Sequence, residues 1–167
     1  SLESAKKRNA RIYAEIVGFG SSCDGTHITR PQRVTMKAAM ELALKDANLS
    51  PQKIGYINAH ATATKQGDIA ESHATNELFG EKTAISSLKS YLGHTLGACG
   101  ALESFLSIMM MKEKEFFPNL NLNEVDSECA NLNYLRDICE IDTEFVMNNN
   151  FAFGGVNTSL IFKNYKD

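Results

Sequence analysis

The hydrophobic positions of this chain follow two periods. Ile12-Tyr13-Ala14-Glu15-Ile16-Val17-Gly18-Phe19-Gly20 is rich in β-branched and aromatic residues and ends in glycine, which predicts a strand. From Arg33 to Asn48 the spacing of Met36, Ala39, Met40, Ala43, Leu44 and Ala47 is helical, and Asn48-Leu49-Ser50-Pro51 stops the helix. Ile54 to Ala59 predicts a second strand, which delivers His60 to its C-terminal end. Asp68 to Phe79 follows as a polar-faced helix closed by Gly80, and Thr83 to Ser87 as a short third strand. The turn Gly93-His94-Thr95-Leu96-Gly97 leads into an apolar helix running to about Lys114, and Phe117 to Cys129 reads as a loop. Two β-rich runs, Glu144 to Asn148 and Thr158 to Lys163, flank Ala152-Phe153-Gly154-Gly155. Strands that alternate with helices, then two strands in succession, predict an α/β domain with a mixed, mainly five-stranded sheet between helical layers.

Composition narrows the function classes. The 167 residues suffice for one domain with a real core. A formal net charge of -3 provides no global basic field for nucleic acid or anionic lipid. The four cysteines, Cys23, Cys99, Cys129 and Cys139, include no C-x-x-C pair, so neither a metal site nor a redox site is expected. With no secretory signal at Ser1 to Arg8, reduced thiols and a cytoplasmic location are the expectation. The apolar run from Gly97 to Met111 is interrupted by Glu103 and falls short of the roughly 20 residues a bilayer span needs, so it predicts a buried helix and no membrane span.

Several residues could carry chemistry. His60, at a strand end before small hydroxyl residues, could donate a hydrogen bond to a carbonyl or exchange a proton. An isolated histidine there more often bonds to backbone. His94 precedes an apolar helix whose positive dipole end disfavours an imidazolium, so a neutral donor fits, as does a plain helix-entry residue. Lys89 lies between strand and helix, where a lysine is ordinarily solvated. Glu103 alters that reading, because an unpaired carboxylate inside an apolar helix is costly and Lys89 is its nearest plausible partner. Asp68 and Glu71 read as ordinary acids at a helix start. Gly154 and Gly155 allow either an oxyanion-binding turn or a simple hairpin. Cys99, in a first helical turn, is the best-placed thiol, but its flanks Ala98 and Gly100 suit a small packing residue better than a nucleophile.

Taken together, three segments resemble the C-terminal half of β-ketoacyl-acyl carrier protein synthases of type II, members of the thiolase-like superfamily. Asn58-Ala59-His60-Ala61-Thr62-Ala63-Thr64 is similar to N-A-H-G-T-x-T. Lys89-Ser90-Tyr91-Leu92-Gly93-His94-Thr95-Leu96-Gly97-Ala98-Cys99-Gly100 is similar to K-S-x-x-G-H-x-x-G-A-A-G. Asn150-Phe151-Ala152-Phe153-Gly154-Gly155-Val156-Asn157 is similar to N-S-F-G-F-G-G-x-N, with Asn150 where that motif has serine. The resemblance covers nearly the whole chain, and it implies a thiolase-like half spanning 1–167.

The resemblance also implies roles. The family condenses malonyl-acyl carrier protein with an enzyme-bound acyl chain, with loss of carbon dioxide. His60 and His94 would donate hydrogen bonds to the malonyl thioester oxygen, and Lys89 matches the active-site lysine with Glu103 as its buried partner. Phe153 and Gly154 match the gating and oxyanion turn, and Thr62 and Thr64 the contacts to the pantetheine arm. No bound cofactor is implied, since acyl carrier protein brings the phosphopantetheine. Its acyl and malonyl forms are the expected partners, and a homodimer or a ketosynthase heterodimer the expected assembly. The family's nucleophilic cysteine belongs to an upstream half, so this chain alone is expected to form no acyl-enzyme.

Ala61 and Ala152 replace motif glycines, Leu88 a usual threonine, and Tyr91 is bulkier than usual, departures that bear on chain-length preference. A chain-length-factor-like partner is the non-catalytic alternative, though such partners typically lack the histidines. A thiolase is the other, but it would need a cysteine in the turn that here runs from Phe151 to Gly155.

Overall fold

The computed structural model describes residues 1–26 and 30–166. After a short helix α1 (Leu2–Lys7) come strand β1 (Ala14–Cys23), helix α2 (Arg33–Asp46), strand β2 (Ile54–Asn58) and helix α3 (Lys65–Phe79). Strand β3 (Ala84–Ser86), the single turn α4 (Lys89–Leu92) and helix α5 (Cys99–Glu113) follow. The chain continues through β4 (Glu115–Phe116), β5 (Asn133–Tyr134), β6 (Cys139–Glu140), β7 (Phe145–Phe151) and β8 (Val156–Asn164).

Six strands form one sheet in the order β1-β8-β7-β2-β3-β5. The β1–β8 and β8–β7 pairs are antiparallel, while β7–β2, β2–β3 and β3–β5 are parallel. Neighbouring strand residues serve opposite faces, as the two-residue period requires. Ile57, Ile85, Met147 and Ile161 join a core with Met36, Met40, Ala43 and Leu44 of α2 and Ala74 of α3. Tyr56, Ala84, Val146 and Phe162 join a second core with Met110 and Met111 of α5. Helices therefore cover both faces, and the two middle strands are buried on both sides.

The α/β class and the five expected strands are present. The sixth, β5, is a two-residue edge strand, and β4 pairs with β6 in a small separate ladder. Neither has enough length for a periodic signal. Helix α3 starts at Lys65, three residues before the expected Asp68, because Thr64 already adopts the extended conformation of a helix-capping position. Lys89, expected in a loop, opens the single turn α4 and is buried.

Two glycines set the distance between α2 and the sheet edge. A Cβ on Gly20 would run into the backbone of Ala39 and Ala43, and one on Gly18 into the carbonyl of Ala43. Backbone atoms of a helix cannot step aside as a flexible side chain can. Gly20→Ala in the full-length protein should therefore lower stability by about 1–3 kcal/mol in chemical denaturation. An unchanged midpoint would mean that α2 is not held by this approach.

Candidate active site

The parallel strands β2 and β3 end on the same side of the sheet, and the sequence there turns polar. The Ala59 N–H still donates to Ser86 O (2.9 Å), so pairing with β3 persists one residue beyond β2. His60 then leaves the sheet. Its N–H donates to Glu71 Oε1 and the Ala61 N–H to Glu71 Oε2, both at 2.8 Å. A carboxylate in the second turn of α3 thus replaces the sheet as acceptor. Glu71 is 3% exposed, and burial raises its pKa to about 7 against the opposing pull of these two N–H donors. Burial likewise raises the Asp68 carboxyl, opposed by the backbone N–H groups of Thr62, Ala63 and Thr64. The two acids of α3 together face the backbone from His60 to Thr64.

Lys89 and Glu103 form the most deeply buried ion pair among the described residues. Lys89 Nζ lies 2.5 Å from Glu103 Oε1, and the two side chains are 6% and 1% exposed. Glu103 Oε2 accepts a second bond from Asn150 Nδ2 at 2.8 Å. The carboxylate is shared between α4 and β7. Asn150 Nδ2 also lies 3.8 Å from the Cys99 thiol, which is buried at the start of α5.

His94 occupies the turn between α4 and α5. Gly93 before it has φ 70°, a left-handed conformation that favours glycine. The Leu96 N–H donates to His94 Nδ1 at 3.2 Å. With Nδ1 an acceptor, a neutral His94 carries its proton on Nε2. The His60 and His94 rings meet edge to face with centroids 5.6 Å apart, and Phe151 lies 6.2 Å from His60 on another side. Burial, then the Lys89 charge and His94, lower the His60 pKa to about 3. His60 is therefore a neutral imidazole across the physiological range.

A cavity of about 780 Å³ brings together His60, His94, Thr62, Thr64, Cys99 and Phe153. A second, of about 730 Å³, lies against Lys89, Asp68, Glu71 and the other side of His94. Of the residues expected at a site, His60, His94, Thr62, Thr64 and Phe153 share one cavity, Lys89 lines the other, and Glu103 sits beneath Lys89. Gly154 borders neither cavity; with φ 84° it shapes the turn beside Phe153. Ala61 and Ala152 lack positive φ, so neither backbone position demands the glycine of the motifs.

Three contributors were not anticipated. Glu71 looked like a helix-start acid because the helix was expected to begin at Asp68. Asp24 and Asn157 join the Phe153 turn to the segment after β1. The Asp24 N–H donates to Gly155 O (2.9 Å), and Asn157 Nδ2 donates to Asp24 Oδ1 (2.6 Å). A Cβ on Gly155 would meet Asp24 at 2.7 Å. The paired glycines at 154–155 were the only available signal for this close approach.

Among the described residues, no group of three His, Cys, Asp or Glu side chains is arranged to hold a metal ion. No helix among the described residues is long and apolar enough to cross a membrane.

A mixed sheet covered on both faces, with its polar residues gathered where parallel strands end, defines an α/β domain whose candidate site lies at the C-terminal ends of its strands. The chain belongs to the family described as Beta-ketoacyl synthase, C-terminal domain, whose model matches residues 13–123. It is 42% identical over 172 residues to a 3-oxoacyl-[acyl-carrier-protein] synthase 2 of Coxiella burnetii, covering 99% of this chain and 41% of that protein. The crystal structure of a beta-ketoacyl synthase from Burkholderia phymatum superposes with a TM-score of 0.96 at 59% identity, covering 98% of this chain and 40% of the other. The ishigamide ketosynthase/chain length factor gives 0.94 at 38% identity, over 99% of this chain and 41% of the other. The chain thus spans about two fifths of the length of these relatives. The thiolase-like architecture expected from the motifs is the one these ketosynthases share.

Glu71 carries a pH signature. A pKa raised from 4.5 to about 7 means that the folded state binds the proton more tightly than the unfolded state. Its contribution is fully present below the unfolded pKa and is lost as pH rises toward 7. Glu71→Gln, which titrates in neither state, should flatten that part of the stability profile of the full-length protein. An unchanged slope between those pH values would show that Glu71 does not titrate there.

Proposed function

We propose that this chain is the malonyl-activating half of a β-ketoacyl-acyl carrier protein synthase. The observation that carries this reading is the His60–His94 pair, two imidazoles 5.6 Å apart at one cavity with His60 held neutral by burial. Neutral donors suit an oxygen that gains negative charge during reaction, because they stabilise the product of the step without neutralising a charge already present.

In the proposed step, the thioester oxygen of malonyl-acyl carrier protein accepts hydrogen bonds from His60 and His94. The bond between the α-carbon and the carboxylate breaks, carbon dioxide leaves, and its electron pair becomes the enolate. The enolate carbon attacks the acyl thioester on the cysteine of the upstream half, and the cysteine thiolate departs. Phe153 and Gly154 form the turn that gates the acyl chain and donates a backbone N–H to the oxyanion of this second step. Thr62 and Thr64 border the path of the pantetheine arm, which acyl carrier protein brings to the site. Lys89 contributes positive potential beside His60, and Glu103 fixes that lysine. The full-length protein works in the cytoplasm as a dimer of two such chains or with a related ketosynthase-type partner.

Each of His60→Ala and His94→Ala in the full-length protein should slow malonyl-acyl carrier protein decarboxylation by about 100-fold or more. Transfer of the first acyl group to the cysteine should persist in both. Wild-type decarboxylation in both variants would refute the assigned roles.

A further inference from the structure

Asparagine is a poor strand former, and a buried amide without partners is costly. Strand β7 nevertheless carries Asn148, Asn149 and Asn150 in succession. Asn148 and Asn149 are 2% and 0% exposed, and β2 ends on Asn58 at 0%. Strand alternation aims Asn148 and Asn150 at α5 and Asn149 at α2. Asn149 there receives Ser159 Oγ at 2.7 Å and lies 3.4 Å from the Met40 sulfur, while Asn150 binds Glu103.

Asn58 and Asn148 are register partners on the parallel β2 and β7. Their side chains form a directional chain. The Leu88 N–H donates to Asn58 Oδ1 at 3.1 Å. Asn58 Nδ2 donates to Asn148 Oδ1 at 2.7 Å. Asn148 Nδ2 donates to Gly100 O at 3.2 Å and to Ser104 Oγ at 3.0 Å. One backbone N–H sets the sense of the whole chain. A peptide N–H can only donate, so Asn58 must present its oxygen to Leu88 and its nitrogen to Asn148, and Asn148 must present its nitrogen to α5. Flipping either amide would set like groups against each other.

The three anchors are the three pieces that carry the candidate chemistry. Asn58 ends β2, two residues before His60. Leu88 adjoins Lys89 and starts the short path to His94. Gly100 and Ser104 flank Glu103 on α5. We propose that the Asn58–Asn148 amide chain is a positioning device that fixes His60 relative to the Lys89–His94 turn and the Glu103 helix. The proposal deepens the reading of the chain as a malonyl-activating half and rests on it. A displacement of one anchor is transmitted to the other two, because both amides are held at their oxygen and their nitrogen and have no spare orientation. Burial keeps water from substituting for a lost bond. Neither asparagine borders the main cavity, so neither is a candidate for substrate contact.

Asn148→Asp is isosteric. It keeps the acceptor for Asn58 but sets an oxygen against the Gly100 carbonyl. Asn58→Asp keeps the acceptor for Leu88 but removes the donor to Asn148. Each is made in the full-length protein and compared with wild type in two half-reactions, malonyl decarboxylation and acyl transfer to the cysteine, with ring NMR spectra of His60 and His94 recorded alongside. The expected result is decarboxylation kcat reduced about tenfold or more, with KM and acyl transfer unchanged. The His60 and His94 resonances are expected to shift in both variants.

Wild-type kcat with unshifted histidines, or an equal fall in both half-reactions, would overturn the positioning role. If the aspartate variants do not fold, Ser104→Ala decides, since it removes only the last hydroxyl. About a threefold fall in decarboxylation kcat alone supports the proposal, and none overturns it. A wild-type protein that does not decarboxylate malonyl thioesters would instead sink the functional reading, and the histidine spectra would still decide the positioning.

Discussion

The buried Lys89–Glu103 pair is the interaction on which the rest of the site depends. Both charges are nearly withdrawn from solvent, at 6% and 1% side-chain exposure, so neither is tolerable without the other. Breaking such a pair from one side typically costs about 3–5 kcal/mol, because it strands the remaining charge in the interior. The pairing determines where α4 sits on α5, hence where the turn between them presents His94. The remaining Glu103 oxygen is taken by Asn150, so the pair is anchored to the sheet as well. Lys89 is then close enough to His60 for its charge to disfavour protonation of that ring. A structural ion pair and the electrostatics of the candidate site are here the same object.

Around that pair, rigidity comes from polar groups and not from apolar packing alone. The apolar cores hold the helices against the sheet, but the strand ends must leave the sheet to form a cavity, and each departing N–H needs a new acceptor. Glu71 provides two of them, for His60 and Ala61. In the turn beside Phe153 the roles reverse: the Asp24 N–H donates to the Gly155 carbonyl, and Asn157 Nδ2 holds the Asp24 carboxylate. A site built this way is organised before substrate arrives. Little reorganisation energy remains to be supplied when charge develops on a bound oxygen.

Much of this was legible in the sequence. The period-two and helical runs located β1, α2, β2, β3, α5, β7 and β8 to within a few residues, and they left His60 at the end of β2. Glu103 inside an apolar helix pointed to a buried cation, because the physics of an unpaired interior charge is independent of fold. What stayed hidden depends on distant partners. Lys89 was matched to Glu103 from the sequence, but its place in the turn α4 was not, because a single helical turn carries no periodic signal. Glu71 was misread because a three-residue shift in the start of α3 moves it from the helix end to the second turn. Asn148, Asn149 and Asn150 break the apolar pattern of β7, and nothing local says that two faces of a sheet will satisfy them. The edge strand β5 exists only because β3 is there to pair with it.

The proposed function requires neutral donors organised in advance, with His60 uncharged at every working pH. The direct test is a histidine ring NMR titration of the full-length protein from about pH 8 to about pH 5. The account predicts that the His60 resonances stay constant over that range, since burial and Lys89 lower its pKa to about 3. A His60 titration with a midpoint near the ordinary histidine value would contradict it.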